Sequence, residues 1–285
     1  MPVAHRELRT ALPRLVDRLR LRDTGLSLSP FCVGITDDPA VIGAAFDAGI
    51  NAFFVTCDMH WPLYEQTRRG LADLFQRVDR DEVIVAGVAY VTQPEFQAMP
   101  FQELVDALPG LERLDVLVAG GAYASDLLPR LPALRDHVAA GRFGARALAA
   151  SFHDRAAARE AITHDLVDLA FVRFNAAHPK ATAELFPHIR QRRGLVYNFT
   201  STGGYVAPAR LRSLGVSADH WCPDIVDHYR HALSHRAIDG LLCAPRTLAQ
   251  LAALAQALER GPLDEGDAEY LEKLCVVDRG DAIPA

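Results

Sequence analysis

The stretch INAFFVTCDMHWPLYE, residues 50–65, contains an apolar run that stops at a polar loop. The run Ala52–Val55 is typical of a strand that is buried on both faces. An amphipathic stretch, typical of a helix, begins at Tyr64. A strand, a loop and a helix form the unit of α/β proteins, in which the loops after strands carry the chemistry. The side chains in this loop that could react or bind are Cys57, Asp58, His60 and Trp61.

The same alternation extends over most of the chain. The further strand-like stretches are Pro30–Gly34, Val83–Val88, Val116–Ala119, Ala145–Ala150, Leu169–Arg173, Leu195–Phe199 and Gly240–Cys243. The helix-like stretches are Pro39–Ala48, Tyr64–Val78, Phe101–Leu108, Leu127–Ala140, Asp154–Thr163, Ala181–Arg192, Pro223–Leu233 and Leu248–Leu258. Eight such units, joined by right-handed crossovers, predict a (β/α)8 TIM barrel, and the alternative is a doubly wound sheet. No internal repeat is apparent. We expect a single barrel domain over residues 21–285, preceded by a helical extension over residues 1–20.

Length and charge exclude several classes of protein. The chain has 285 residues, half of them hydrophobic, and a net charge of −6. No basic stripe suits a phosphate backbone, no apolar run is long enough for a membrane, and no export signal is visible. Five dispersed cysteines indicate reduced thiols, so we expect a cytoplasmic protein. We expect its partner to be a small-molecule substrate. The sequence gives no indication of oligomeric state.

Seven segments, in order, resemble those of the aldo-keto reductases. LRDTGLSLSPFCVGIT (21–36) resembles their N-terminal hairpin and first strand, and VIGAAFDAGINAFFVTCDMH (41–60) their first helix and second strand. RALAASFHD (146–154), FVRFNAAHP (171–179) and GLVYNFTSTGGYV (194–206) are similar to the ends of strands four, five and six. HALSHRAIDGLLCAPRTLAQLAALAQAL (231–258) resembles the last strand and the phosphate-binding helix, and GPLDEGDAEYLEKL (261–274) the closing helix. The resemblance implies a barrel of aldo-keto reductase type.

That family transfers a hydride from a nicotinamide to a carbonyl, using a Tyr as proton donor. An Asp and a Lys lower the pKa of the Tyr, and a His orients the substrate. The resemblance places Val55 at the Asp position, His60 at the Tyr position, Gly87 at the Lys position and Gly120 at the His position. All four are replaced. Because histidine ordinarily titrates near pH 6.5, a His donor needs no Asp and Lys, and we expect His60 to act as general acid/base with Cys57 or Asp58 assisting. The alternative is a site that has decayed.

The resemblance leaves the binding of NADPH open. It places Arg246 and Thr247 where family members bind the adenylate phosphate, and Ser201 in the strand-six loop. Ser151 and Asn175 match the residues that hold the nicotinamide amide, and Phe174 matches the ring that stacks on it. Against this, Ala253 and Leu254 stand where a Glu-Asn pair normally meets the adenine.

Further polar and aromatic residues lie near predicted strand ends. Trp61, Phe152 and Tyr205 predict an aromatic-walled pocket for a small apolar ligand, or rings that cap the core. The other predicted substrate-binding residues are His153, Arg173 and Asn198, with a structural hydrogen bond as the alternative for the last two. Cys57 and His60 alone are too few for a metal site. His153, Asp58 or His178 on neighbouring loops could complete one, but we expect no metal, with Cys57 as a small buried residue and His60 as a polar lid. We interpret His228, His231 and His235 as surface residues on a barrel helix.

Three functions remain open. The first is an enzyme with an aldo-keto-reductase-like barrel that performs a His60-assisted proton transfer, elimination or isomerisation on a small metabolite. The second is a non-catalytic barrel that binds a ligand or a partner protein. The third is an NADPH-dependent carbonyl reductase in which His60 replaces the Tyr.

Overall fold

A computed structural model describes residues 7–56 and 58–277. Eight parallel strands close into a barrel in the order β10-β3-β4-β5-β6-β7-β8-β9, and a two-stranded hairpin, β1-β2, precedes it. The strands are β1 (Leu19–Leu21), β2 (Leu26–Leu28), β3 (Phe31–Val33), β4 (Ala52–Thr56), β5 (Ile84–Ala89), β6 (Val116–Ala122), β7 (Ala147–Phe152), β8 (Leu169–Arg173), β9 (Leu195–Phe199) and β10 (Gly240–Cys243). The predicted TIM barrel is confirmed, and the doubly wound sheet is excluded.

Helices surround the barrel. They are α1 (Ala40–Asp47), α2 (Glu65–Phe75), α3 (Met99–Ala107), α4 (Arg130–Ala139), α5 (Arg155–Thr163), α6 (Ala181–Glu184), α7 (Pro208–Ser213), α8 (Ile225–Ser234), α9 (Leu248–Glu259) and α10 (Glu265–Val277). The helix predicted over Ala181–Arg192 is shorter than expected because Pro187 interrupts it after a single turn. Within the described residues, no helix has the length and apolar character that crossing a membrane requires.

The N-terminal segment differs from the helix expected over residues 1–20. Residues 7–18 form no helix, and residues 1–6 lie outside the described part of the chain. Pro13 falls in the middle of the predicted helix, where it removes a backbone donor. Instead, Leu8 forms a bridge with His235, and the backbone N–H of Arg9 donates to the carbonyl of Ser234 at 2.7 Å. The segment therefore runs along the end of α8 as extended chain.

Side-chain alternation divides each barrel strand between the interior and the helices. Phe54 of β4 contacts Phe171 of β8 on the opposite side of the barrel, with ring centroids 5.2 Å apart. Both side chains therefore point inward, and their sequence neighbours point toward the helices. The pairing register extends this assignment to the other strands, which fixes the residues that can reach the mouth.

A polar residue stands immediately before every second barrel strand, at the N-terminal end. Asn51, Asp115, Asp168 and Asp239 precede β4, β6, β8 and β10. Each side chain accepts the backbone N–H of a residue in or just before the preceding strand. The donors are Ser29 (2.7 Å), Val85 (2.9 Å), Leu148 (2.8 Å) and Val196 (2.8 Å). Arginines pair with the three carboxylates. This ring of four residues holds the strand starts together, at the end of a TIM barrel that serves stability.

Candidate active site at the barrel mouth

A cavity of about 300 Å³ lies among the C-terminal ends of the strands, where TIM barrels place their active sites. Its apolar wall consists of Gly34, Ile35, Phe54, Phe199, Leu242, Cys243 and Ala244. Its polar groups are His60, Tyr64, Tyr90, Ser151, His153 and Thr200. None of these lining residues carries a carboxylate, guanidinium or ammonium group. A wider, open groove of about 590 Å³ lies at the opposite end of the barrel, near Asn51 and Ile84.

An imidazole and a phenol lie side by side in this cavity. His60 follows β4 and Tyr90 follows β5, so neighbouring strands carry them to the same part of the mouth. The two rings meet edge to face with centroids 4.6 Å apart. Tyr90 points inward because it continues the alternation of Ala86 and Val88. Tyr90 was not predicted as a site residue, because it lies within the apolar run that continues to Val91.

The Tyr90 ring depends on a glycine of the adjacent strand. A Cβ atom on Gly120 would lie 2.6 Å from both Cδ1 and Cε1 of Tyr90, far inside van der Waals contact. Gly120 is the position that the resemblance aligns with the substrate-orienting His of the family. The phenol of Tyr90 therefore lies against the strand position at which the family's imidazole was expected.

The positions aligned with the family's Asp and Lys do not face the cavity. Val55 follows the inward-pointing Phe54, and it pairs in register with Gly87, so both positions face the helices. The inward positions beside them are Thr56 and Val88, and neither is an acid or an amine. The whole chain has two lysines, Lys180 and Lys273, and both are exposed and lie away from the cavity lining.

The two tyrosines of the cavity are weak acids. Burial, and then the charge of Asp58, raise the pKa of Tyr90 to about 12. Burial and the neighbouring Tyr90 raise the pKa of Tyr64 further still. Neither hydroxyl forms a hydrogen bond to a described residue. Both phenols therefore stay protonated at neutral pH. They can donate a hydrogen bond, but they do not readily transfer the proton itself.

His153 and Ser151 come from β7 and its loop, on the other side of the mouth. Ser151 accepts the backbone N–H of Gly121 at 2.8 Å, which leaves its own proton free to donate. The His153 ring packs edge-on against Phe199, with centroids 5.0 Å apart. Burial, and then the charge of Arg173, lower the pKa of His153 below 6.5. His153 is therefore neutral at pH 7.

Asp58 joins two strand-end loops. Its carboxylate accepts the hydroxyl of Thr56 at 3.0 Å and the backbone N–H of Tyr90. This arrangement holds the loop of His60 against the loop of Tyr90, so Asp58 has a positioning role. Trp61 is partly exposed outside the cavity lining, with the guanidinium of Arg68 at 3.4 Å from its ring. Cys57 lies outside the described residues.

Besides Trp61, three predicted substrate-binding residues do not reach the cavity. Phe152 and Asn198 are buried and fall on the outer face of their strands. The amide nitrogen of Asn198 donates to the carbonyls of Val172, Phe174 and Phe199, the structural hydrogen bond that was the alternative. Tyr205 packs against His228 beneath α8, with ring centroids 5.4 Å apart. Alternation explains both strand residues, because each lies next to an inward-pointing neighbour.

The candidate cofactor residues form other contacts. Arg246 pairs with Asp37 at 2.9 Å, so a carboxylate already lies beside the guanidinium expected to bind phosphate. Thr247 caps α9 by accepting the backbone N–H of Gln250. Ser201 donates to Asn198, and Asn175 is held by Thr200 and His178. Phe174 is buried against His231 and Phe186. Ser151 lines the cavity, whereas the other five candidate residues make these contacts within the protein.

The three histidines of α8 and its C-terminus are buried, which corrects their interpretation as surface residues. His228, His231 and His235 are each less than a tenth exposed. They face Phe174, Phe186 and Tyr205, and Nε2 of His231 pairs with Glu272 of α10 at 2.9 Å. These histidines are covered by the chain segments that carry Phe174, Phe186, Tyr205 and Glu272. The sequence alone does not show that these segments lie together. Within the described residues, no group of three or more His, Cys, Asp or Glu side chains is placed to hold a metal ion.

Two solved structures illustrate what the fold is similar to. The holo form of an aldo-keto reductase from Bacillus halodurans matches with a TM-score of 0.71 and 14% identity, over 91% of this chain and 96% of that one. A thermostable aldo-keto reductase in complex with the inhibitor epalrestat matches with a TM-score of 0.69 and 12% identity, over 90% of this chain and 99% of that one. No protein-family model and no curated protein sequence matches the chain. The chain therefore has the (β/α)8 barrel fold of the aldo-keto reductases.

Proposed function

We propose that the protein is an enzyme that moves a proton on the carbon next to a carbonyl group of a small molecule. His60 is the general base and acid, and Tyr90 binds the carbonyl oxygen. The observation that supports this proposal is the direct contact between imidazole and phenol inside an apolar-walled cavity. The reaction class is enolisation or isomerisation, without a bound nicotinamide.

The chemistry follows from what each group can do. His60 takes the proton from the α-carbon, and the electrons of that C–H bond form the carbon–carbon double bond of an enolate. The Tyr90 hydroxyl donates a hydrogen bond to the oxygen as negative charge develops there. His60, now protonated, returns a proton to carbon. A phenol with a pKa of about 12 suits this role because it remains a donor throughout.

Low polarity in the cavity strengthens both interactions. Phe54, Phe199, Leu242 and Ile35 limit water around the reacting atoms, so the hydrogen bond from Tyr90 is worth more than in water. A positioned general base contributes roughly 10²–10⁴ in rate, and one oxyanion donor about 10²–10³. Variants that remove the base His60 or the donor Tyr90 should lose rate by these factors.

The reductase alternative is less well supported. Hydride transfer needs a nicotinamide, and Phe174, the ring expected to stack on it, is buried against His231 and Phe186, while Arg246 already pairs with Asp37. A ligand-binding barrel without catalysis would use the same cavity, and only a rate measurement separates it from the enzyme.

Proton exchange tests the proposal without knowledge of the natural substrate. Small ketones and oxo acids are incubated with the protein in D₂O, and deuterium at the α-carbon is followed by NMR. We expect exchange with the wild type, a loss of at least about 10² in H60Q, and no change in the matched control H164Q, whose side chain is exposed. Exchange that is equally fast in H60Q would overturn the proposal. Consumption of NADPH with an aldehyde would instead favour the reductase.

A further inference from the structure

Arg173 is a half-buried arginine at the mouth of the barrel. It ends β8 on the inward side, since it pairs in register with Phe199 and lies two residues after the inward-pointing Phe171. Its neighbours on both sides, His153 on the β7 loop and Phe199 on β9, line the cavity. The guanidinium is therefore at the rim of the cavity, on the strand opposite the one that leads to His60.

No carboxylate pairs with Arg173 among the described residues. Its contact is with the ring of His178, whose Nε2 lies 3.2 Å from Nη2. Nδ1 of His178 lies 3.1 Å from Oδ1 of Asn175, and the Asn175 amide nitrogen donates to the carbonyl of Thr200. Nη2 of Arg173 also lies 3.4 Å from Nδ1 of His178, so the guanidinium lies over the imidazole ring. The remaining N–H groups of Arg173 find no partner in the described part of the chain.

Two half-buried arginines near the strand starts pair with carboxylates. Arg22 pairs with Asp165 and Asp168, and Arg192 pairs with Asp239 at 2.8 Å. These pairs lie at the other end of the barrel, among the ring residues. At the mouth, Arg173 is instead held against His178 and has no counter-ion among residues 7–56 and 58–277.

The positive charge of Arg173 affects a residue of the cavity lining, His153. It contributes to the lowered pKa of His153, so Arg173 and His153 share one environment. The cavity lining contains no opposite charge that could neutralise the guanidinium. A planar guanidinium with free N–H groups is suited to bind a carboxylate through two parallel hydrogen bonds.

We propose that Arg173 binds the carboxylate of the substrate, and that the substrate class is a small oxo acid with an apolar body. The carboxylate lies at the β8 side, and the carbonyl lies across the mouth at Tyr90 and His60. The identity of the substrate class rests on the proposed function, whereas carboxylate binding by Arg173 does not. The two can therefore fail separately.

Matched acid and ester probes test this inference. Binding of benzoylpropionate and of its methyl ester is measured by titration calorimetry, and α-proton exchange of both is followed by NMR in D₂O. We expect the acid to bind at least about tenfold more tightly than the ester. R173Q should lose that preference and leave the affinity for the ester unchanged. R173K should recover part of it, because a lysine keeps the charge without the planar fork. R159Q, which removes an exposed arginine of α5, is the matched control.

The outcomes separate the two proposals. Equal affinity for acid and ester in the wild type, or a preference that survives in R173Q, overturns carboxylate binding. If circular dichroism shows that R173Q does not fold, the ratio of acid affinity to ester affinity in the wild type and in R173K tests carboxylate binding instead. H60Q should keep the acid preference and lose exchange. A preserved preference in a wild type that never exchanges protons would overturn the proposed function and leave carboxylate binding intact.

Discussion

Gly120 and Tyr90 show how single residues shape the mouth. The glycine has no side chain, so the ring of Tyr90 packs closely against β6 and meets His60 edge to face. Ordinary residues at position 120 would push the ring toward the cavity. The backbone N–H of Tyr90 is held by Asp58, so the backbone cannot retreat easily. The geometry of the proposed catalytic pair therefore depends on a residue that touches no substrate.

The variant G120A tests this dependence. Its added Cβ would lie 2.6 Å from the ring, and overpacking of this kind costs about 1–3 kcal/mol of stability. We expect weaker binding of benzoylpropionate and slower exchange than in the wild type, measured on protein that is still folded. The matched control is G266A in α10, where an added Cβ meets only Asp264 at 3.4 Å. Unchanged exchange in G120A would show that the position of Tyr90 is not important.

At the scale of the element, α8 joins the barrel to the last helix through buried imidazoles. His231 pairs with Glu272 of α10, and His228 packs against Tyr205. Burial, and then the neighbouring His231, lower the pKa of His228 to about 4. Its Nδ1 atom has no hydrogen-bond partner among the described residues. A proton on His228 is therefore disfavoured in the folded state.

This burial predicts a loss of stability in acid. Above about pH 6.5 the His228 imidazole is neutral in both states and contributes no pH dependence. As the pH falls from about 6.5 to about 4, the unfolded chain binds a proton that the folded chain does not, so stability decreases by about 3 kcal/mol. Urea titrations at several pH values should show a smaller decrease in H228F than in the wild type. The exposed H164F is the control, and equal slopes in all three proteins would contradict the prediction.

At the scale of the whole molecule, the buried ring residues and the candidate active site lie at opposite ends of the barrel. The ring of Asn51, Asp115, Asp168 and Asp239 ties the strand starts together with buried hydrogen bonds and ion pairs. Within the part of the chain that the structure describes, the mouth instead carries glycines, an arginine that pairs with no carboxylate, and two phenols whose hydroxyls form no hydrogen bond. Side chains that are free of structural contacts at the mouth remain available to a ligand.

Removing one member of the ring should affect stability alone. Asp115 is fully buried and accepts from Val85 and from Arg80, Arg113 and Arg146. D115A leaves the buried guanidinium of Arg80 without its carboxylate and the backbone N–H of Val85 without its acceptor. We therefore expect the free energy of unfolding, measured in urea, to fall by about 3–5 kcal/mol. Affinity for benzoylpropionate should stay unchanged under conditions where the protein is folded. D47A, which breaks an exposed pair with Arg77, should cost less than about 1 kcal/mol. A loss in D115A as small as in D47A would contradict the structural role.

Most of the fold could be predicted because buried parallel strands are continuous apolar runs. Three predicted strands, such as Leu169–Arg173, match the structure at both ends, and the others differ by one to three residues at an end. The helix predicted over residues 1–20 was wrong for residues 7–18, because Pro13 interrupts it and Leu8 pairs with His235, a contact between distant segments that the sequence does not show. The ring of four polar residues at the strand starts was also not predicted. Its members share only their position, one residue before every second strand. A signal of that size is visible only when the strand starts are known.

The site was predicted in part for a related reason. His60, Ser151 and His153 line the cavity as their loop positions suggested, and Asp58 and Arg173 lie beside it. Phe152, Phe174 and Asn198 do not, because a shift of one residue along a strand turns a side chain to the other face. Tyr90 was hidden by its apolar surroundings. Its spacing of two residues from Val88 is the signal that could have revealed it.

The double-variant cycle of H60Q and Y90F is the most direct test of the catalytic pair. The rate of α-proton exchange of benzoylpropionate is measured for the wild type, both single variants and the double variant. If the imidazole and the phenol act on one transition state, each single change should cost about 10² or more, and the double variant should be little slower than the slower single variant. Exchange that survives in H60Q, or losses that multiply as for independent sites, would contradict the assignment.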